Sequence, residues 1–119
     1  MITALDHIQL ALPAGEEDAM RSFYCEVLGM TEIPKPAPLR ARGGFWAQAG
    51  ALQVHFGIDP DFHAATKAHP AFVIDQLDTL ANCLEQAGHE ITWDTALPEV
   101  RRCFTSDPVG NRIELIAQT

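Results

Sequence analysis

The chain has 119 residues, 47% of them hydrophobic, and carries 16 acidic against 8 basic side chains for a formal net charge of −8. With only two lysines there is no clustered cationic surface for a phosphate backbone, so no nucleic-acid partner is expected. No apolar run approaches the ~20 residues of a membrane helix, and no basic stretch leads into an apolar one at the N-terminus, so the expectation is a cytoplasmic protein without membrane association.

Taken in chain order, Leu5-Asp6-His7-Ile8-Gln9-Leu10-Ala11-Leu12 reads as a strand ending at Pro13. Glu16, Glu17 and Asp18 then open a helix whose apolar Met20, Phe23, Tyr24, Val27 and Leu28 lie on one face, and Gly29 closes it. Beyond the prolines at 34, 36 and 38, Phe45–Gln48 and Leu52–Phe56 form a hairpin turning near Gly50. The second half repeats this order: strand Ala71–Ile74, helix Leu77–Leu84 capped by Gly88, strand Glu90–Trp93, and a hairpin of Arg102–Thr105 with Ile113–Ile116. Each half is thus expected to be a βαβββ unit, about residues 1–60 and 66–119, within one domain spanning 1–119.

Three histidines and a glutamate fall at matching places in this repeat. His7 and His55 are 48 residues apart, and His69 and Glu114 are 45 apart, so each half offers one donor near its start and one near its end. The pattern points to a metal site. In a strand alternate side chains share a face, which groups His7 with Gln9, His55 with Gln53, and Glu114 with Arg112, while Ile113 and Leu115 point the other way. Ile8, Leu10, Val54, Phe56 and Phe72 join those two as expected core.

Four segments, in order, resemble the vicinal oxygen chelate superfamily, which includes lactoylglutathione lyases, fosfomycin- and bleomycin-resistance proteins and extradiol dioxygenases. They are Leu5-Asp6-His7; Phe23-Tyr24 with Leu28-Gly29; His69-Pro70-Ala71-Phe72; and Asp107-Pro108-Val109-Gly110-Asn111-Arg112-Ile113-Glu114-Leu115. The last is the most specific, and it is also a tight turn that reverses straight into a strand. The resemblance implies an α+β fold of two βαβββ modules forming a curled, open mixed sheet. It implies a divalent metal held by His7, His55, His69 and Glu114, a small-molecule substrate, and a homodimer; the site is built either within one copy or across the dimer, where His7 and His55 of one copy would meet His69 and Glu114 of the other. At the second position Gln53 shares the face of His55 and stands as an alternative, with imidazole the better donor.

Imidazole and carboxylate donors suit Fe, Ni, Co, Mn or Zn rather than Ca, which takes oxygen alone. His7, His69 and Glu114 by themselves make the two-His, one-carboxylate set of non-haem iron oxygenases, which leaves His55 as a fourth ligand or a proton acceptor. Catalytic roles are therefore expected for Glu114 and His55, and substrate contacts for Arg102, Trp46 and Phe104. Blander roles are open to each: a structural hydrogen bond for any single histidine, an ion pair with Arg112 for Glu114, core packing for the aromatics, and solvation for Arg42, Arg101, Arg102, His63 and His89. Cys25, Cys83 and Cys103 read as reduced core thiols. Two functions follow from this pattern. One is a metal-dependent lyase, isomerase or dioxygenase acting on a substrate with vicinal oxygens. The other is a metal-free protein that sequesters a small molecule, as in the bleomycin-resistance branch.

Overall fold

Each half of the chain builds one four-stranded mixed sheet with the same strand order. The computed structural model describes residues 1–119 and separates into two units, Met1–His63 and Ala64–Thr119. In the first, β1 (Ile8–Leu12), β2 (Thr31–Ile33), β3 (Phe45–Ala49) and β4 (Leu52–Ile58) are arranged β1-β4-β3-β2, with β1 parallel to β4 and the other pairs antiparallel. In the second, β5 (Ala71–Ile74), β6 (Thr92–Asp94), β7 (Arg102–Ser106) and β8 (Arg112–Ala117) are arranged β5-β8-β7-β6, with β5 parallel to β8. One helix follows the first strand of each unit, so both are βαβββ and the class is α+β.

The alternation of the strands explains which face is buried. In the first unit Leu12, Phe45, Ala47, Val54 and Phe56 are buried together with Met20, Phe23 and Tyr24 of the helix; Phe45 stacks on Phe56 with centroids 4.3 Å apart. Each large side chain removed from water here contributes about 1.5–3 kcal/mol. In the second unit Cys103, Ile113, Leu115 and Phe72 share a core with Leu77, Ala81 and Leu84 of α2 (Leu77–Gln86). Ile8 and Leu10 are only half-buried, because β1 is an edge strand that pairs with β4 alone.

Helix α1 runs Glu17–Arg21 and continues as a π-turn over Ser22–Val27, where Leu28 N–H reaches back to the Phe23 carbonyl at 3.0 Å. The widened turn buries two consecutive residues, Phe23 and Tyr24, in edge contact at 4.9 Å. Gly29 and Gly88 end the two helices with φ of 83° and 93°, as their positions in the sequence predict. Gly44 has no substitute: at φ 74° a Cβ would stand 2.0 Å from the Phe56 carbonyl oxygen.

Several expectations need correction. β1 begins at Ile8, where pairing with Val54 starts, so Leu5 is exposed and His7 sits just ahead of the strand. His69 likewise precedes β5. The strand placed at Glu90–Trp93 is Thr92–Asp94, held in register by Phe104 and Arg102 of β7. The prolines frame a 3-10 turn, Ala37–Arg42, that the sequence did not announce. Of the cysteines only Cys103 is core; Cys25 is half-buried and Cys83 exposed on the outer side of α2.

Candidate functional site

The four donors come together as two pairs, each inside its own unit. In the second unit His69 Nε2 lies 2.9 Å from Glu114 Oε1. Glu114 stands on β8 with its side chain buried, although its neighbours Ile113 and Leu115 face the opposite, apolar side. His69 is carried by the connection into β5, and the Asp107–Asn111 turn fixes that connection. Asp107 Oδ1 accepts from the backbone N–H of Val109 and Asn111, both at 3.0 Å, and Asn111 Oδ1 accepts from Ala65 N–H at 3.0 Å. Arg112 N–H to the Ala65 carbonyl (2.8 Å) and Glu114 N–H to the Pro70 carbonyl (3.0 Å) complete the clamp on either side of His69. Asp107 and Asn111 are thus positioning residues that sequence reasoning took only as turn formers; their small polar side chains at a turn were the available signal.

The protonation of the His69 ring is set from behind. Nδ1 lies 2.8 Å from the Lys67 carbonyl, which only accepts, so Nδ1 carries the proton. In the neutral ring Nε2 is then a lone pair facing a carboxyl oxygen at 2.9 Å, and such a contact needs either a proton shared between the two or a metal ion. Two donors at ~2.1 Å from one ion and roughly at right angles would lie about 3 Å apart, so the donor set and its spacing fit a borderline divalent metal.

Arg102 supplies the other side of Glu114. Its Nη1 donates to Glu114 Oε2 at 3.2 Å and its Nη2 to Asp94 Oδ2 at 3.0 Å. The ion pair with Arg112 that the sequence left open as a blander role for Glu114 is not formed; Arg112 lies over Phe104 instead, its Cζ 4.0 Å from the ring centroid. Phe104 also meets the edge of His69 at 5.4 Å, so this aromatic touches the site rather than filling the core.

In the first unit three rings form a stack. His55, almost fully buried, lies between His7 (centroids 3.9 Å apart, planes at 19°) and Trp46 (3.7 Å, 2°). The sheet register explains half of it, since Trp46 and His55 are directly opposed on β3 and β4. His7 Nδ1 bonds Asp6 Oδ1 at 2.8 Å, an exposed contact that orients the imidazole, and His55 Nε2 bonds Gln53 Oε1 at 3.1 Å. Gln53 is therefore a partner of His55 as well as its neighbour. Burial, reinforced by the adjacent His7, pushes the His55 imidazole below its ordinary range, which favours the neutral, electron-pair-donating ring. Neither unit gathers three His, Cys, Asp or Glu donors around one point.

The remaining candidates lie elsewhere. His63 is exposed and bonds only the Asp61 carbonyl, whereas His89, expected to be solvated, is half-buried against the Ser106 carbonyl at 3.3 Å. Arg101 pairs with Asp78 and covers Trp93, and Arg42 is exposed at the end of the 3-10 turn.

No protein-family model and no curated protein matches the chain. Solved structures do. A glyoxalase family protein from Bacillus anthracis is 43% identical over 100% of this chain and 98% of its own, with a TM-score of 0.93. The genomically encoded fosfomycin resistance protein of Listeria monocytogenes has a TM-score of 0.78 at 20% identity, covering 100% and 96% of the two chains, and a fosfomycin resistance protein from Mesorhizobium loti has 0.73 at 20%, covering 100% and 95%. At those lower identities the likeness is one of fold. The identity and coverage of the Bacillus structure, together with the repeated βαβββ architecture, establish that the chain belongs to the glyoxalase family of the vicinal oxygen chelate superfamily.

Proposed function

We propose that the protein is a metal-dependent enzyme, a lyase, isomerase or dioxygenase, acting on a small molecule with two neighbouring oxygens. The observation that carries this reading is the His69–Glu114 contact, in which a ring anchored through Nδ1 on the Lys67 carbonyl brings Nε2 to 2.9 Å from a buried carboxylate, a spacing that suits two ligands of one ion. His69 and Glu114 would hold the metal with His7, and His55 is either the fourth ligand or the proton acceptor. When bound, a divalent Fe, Ni, Co, Mn or Zn ion supplies Lewis-acid polarisation of the substrate oxygens.

The chain's own residues do the rest. Arg102 orients the Glu114 carboxylate by holding Oε2, leaving Oε1 for the site. Trp46 and His7 fix the plane of the His55 ring, so a proton reaching it arrives at a defined nitrogen. A catalytic transition-metal site uses three or more protein ligands, and each unit holds two of the four candidates. A homodimer that brings His7 and His55 of one copy to His69 and Glu114 of the other would supply the full set, and edge strand β5, with Val73 65% exposed, is left open for pairing.

The test is direct. Purified protein freed of metal is titrated with Ni(II), Co(II), Mn(II), Zn(II) and, anaerobically, Fe(II). Binding of at least one ion with micromolar or tighter affinity is expected. If none binds, the metal-free sequestering protein becomes the account of this chain. Light scattering that gives a monomer mass at micromolar concentration would remove the shared site.

A further inference from the structure

Three arginines lie on or beside the strands of the second unit, Arg101, Arg102 and Arg112, and one of them is placed unlike the others. Arg102 is committed to Glu114 and Asp94, and Arg101 to Asp78. Arg112 makes only a ring contact, its guanidinium lying 4.0 Å above the centroid of Phe104. The register puts Arg112 opposite Ser106 and Phe104 opposite both Glu114 and Thr92, so these side chains share the face that carries the His69–Glu114 pair. Between them is an open pocket of about 330 Å³, lined by Thr66, Thr92, Phe104, Ser106, Arg112 and Glu90 among others.

A guanidinium laid on an aromatic face is held by the ring while its N–H edges remain outward, the arrangement that grips a planar or tetrahedral oxyanion with two parallel hydrogen bonds. The hydroxyls of Thr66, Thr92 and Ser106 in the lining add neutral donors. Glu90 is the single acidic group on the wall, and it forms no ion pair with Arg112, so it opposes an anion without neutralising the anchor.

We propose that Arg112 on its Phe104 shelf is the anchor for an oxyanion, a carboxylate or phosphoryl group, and that this group is the part of the substrate that sets its position beside the His69–Glu114 pair. The second half of that statement rests on the proposed metal-dependent chemistry; the first half does not. Arg102, the arginine the sequence suggested for substrate contact, is a positioning residue for Glu114.

The experiment uses the 119-residue chain, free of metal, at constant ionic strength. The Arg112 Nε–H signal and the backbone amides of Thr66, Thr92 and Ser106 are followed by ¹H–¹⁵N NMR during separate titrations with inorganic phosphate and with acetate. Saturable shifts confined to these signals are expected, with dissociation constants in the millimolar range for so small a ligand. Saturation by phosphate alone assigns a phosphoryl group, and by acetate alone a carboxylate. Arg112→Met should weaken binding at least about 10-fold, the loss of a charge-assisted pair of hydrogen bonds, and Arg112→Lys should fall between the two because it keeps the charge without the planar fork. Glu90→Gln should tighten it. Shifts absent for both anions, or an Arg112→Met protein that binds as well as the parent, would overturn the assignment. Glu114→Gln separates the two readings: anion binding that survives while metal binding is lost keeps the Arg112 site, and anion binding to a protein that takes up no metal at all leaves the pocket standing and removes the metal chemistry.

Discussion

Replacing Glu114 by Gln keeps the shape of the side chain and removes its charge, and the surroundings fix two separate consequences. Without metal, Arg102 loses the carboxylate at 3.2 Å but retains Asp94 at 3.0 Å, so the loss lies at the lower end of the range for a charge-assisted hydrogen bond, about 1–2 kcal/mol. For a chain of this size that is a fall in Tm of roughly 5–10 °C. With metal at a hundred times its dissociation constant the parent protein gains about 2.7 kcal/mol, whereas a variant binding ~100-fold more weakly gains about 0.4 kcal/mol. Thermal melts of both proteins with and without Ni(II) or Co(II) therefore test the two effects in one experiment. A variant whose Tm rises with metal as much as the parent's would refute Glu114 as a ligand. A metal-free variant as stable as the parent would refute the account of the Arg102 ion pair.

The other predictions concern neighbouring features. His55→Ala removes both ring stacks, with an expected loss of about 2 kcal/mol in urea unfolding; Co(II) absorption that is unchanged makes His55 the proton acceptor, and lost or altered absorption makes it a ligand. Gly44→Ala drives a Cβ against the Phe56 carbonyl and should destabilise by about 3 kcal/mol or more, whereas Gly50→Ala, at φ 57° with open space around it, should cost about 1 kcal/mol; equal losses would contradict the steric argument. Native protein treated with a thiol reagent at pH 8 should label Cys83 and spare Cys103, whose thiol burial pushes from 9.0 to about 11. Because the native state then holds a proton that the unfolded chain releases above about pH 8.5, stability should fall as pH rises from there toward 11, and Cys103→Ala should flatten that slope.

The repeat was legible because each half spells its elements locally: alternating apolar residues for strands, spaced apolar residues for helices, and glycines at Gly29, Gly50 and Gly88 where a left-handed φ is needed. The grouping of donors was legible through strand parity, which depends only on sequence spacing. The role of arginines was not, because whether Arg102 or Arg112 reaches Glu114 is decided across the β7–β8 pairing, twelve residues away in one case and two in the other, and periodicity is silent on which rotamer a long side chain adopts. The π-turn escaped for a similar reason: burying both Phe23 and Tyr24 requires a wider turn than helical spacing presumes. Cys83 was misplaced because a thiol's preference for burial says nothing about which side of α2 faces out.

The chain's two tryptophans fall one in each unit, in opposite electronic settings. Trp46 is half-buried and lies flat on an imidazole, a ring that quenches indole emission when it gains a proton, while Trp93 is 36% exposed beneath the Arg101 guanidinium. Their emission should differ in wavelength and in response to acid. Trp46→Phe and Trp93→Phe then yield single-fluorophore proteins in which the melting of either half is watched by itself, and superimposable curves would mark one cooperative transition where separated curves mark two.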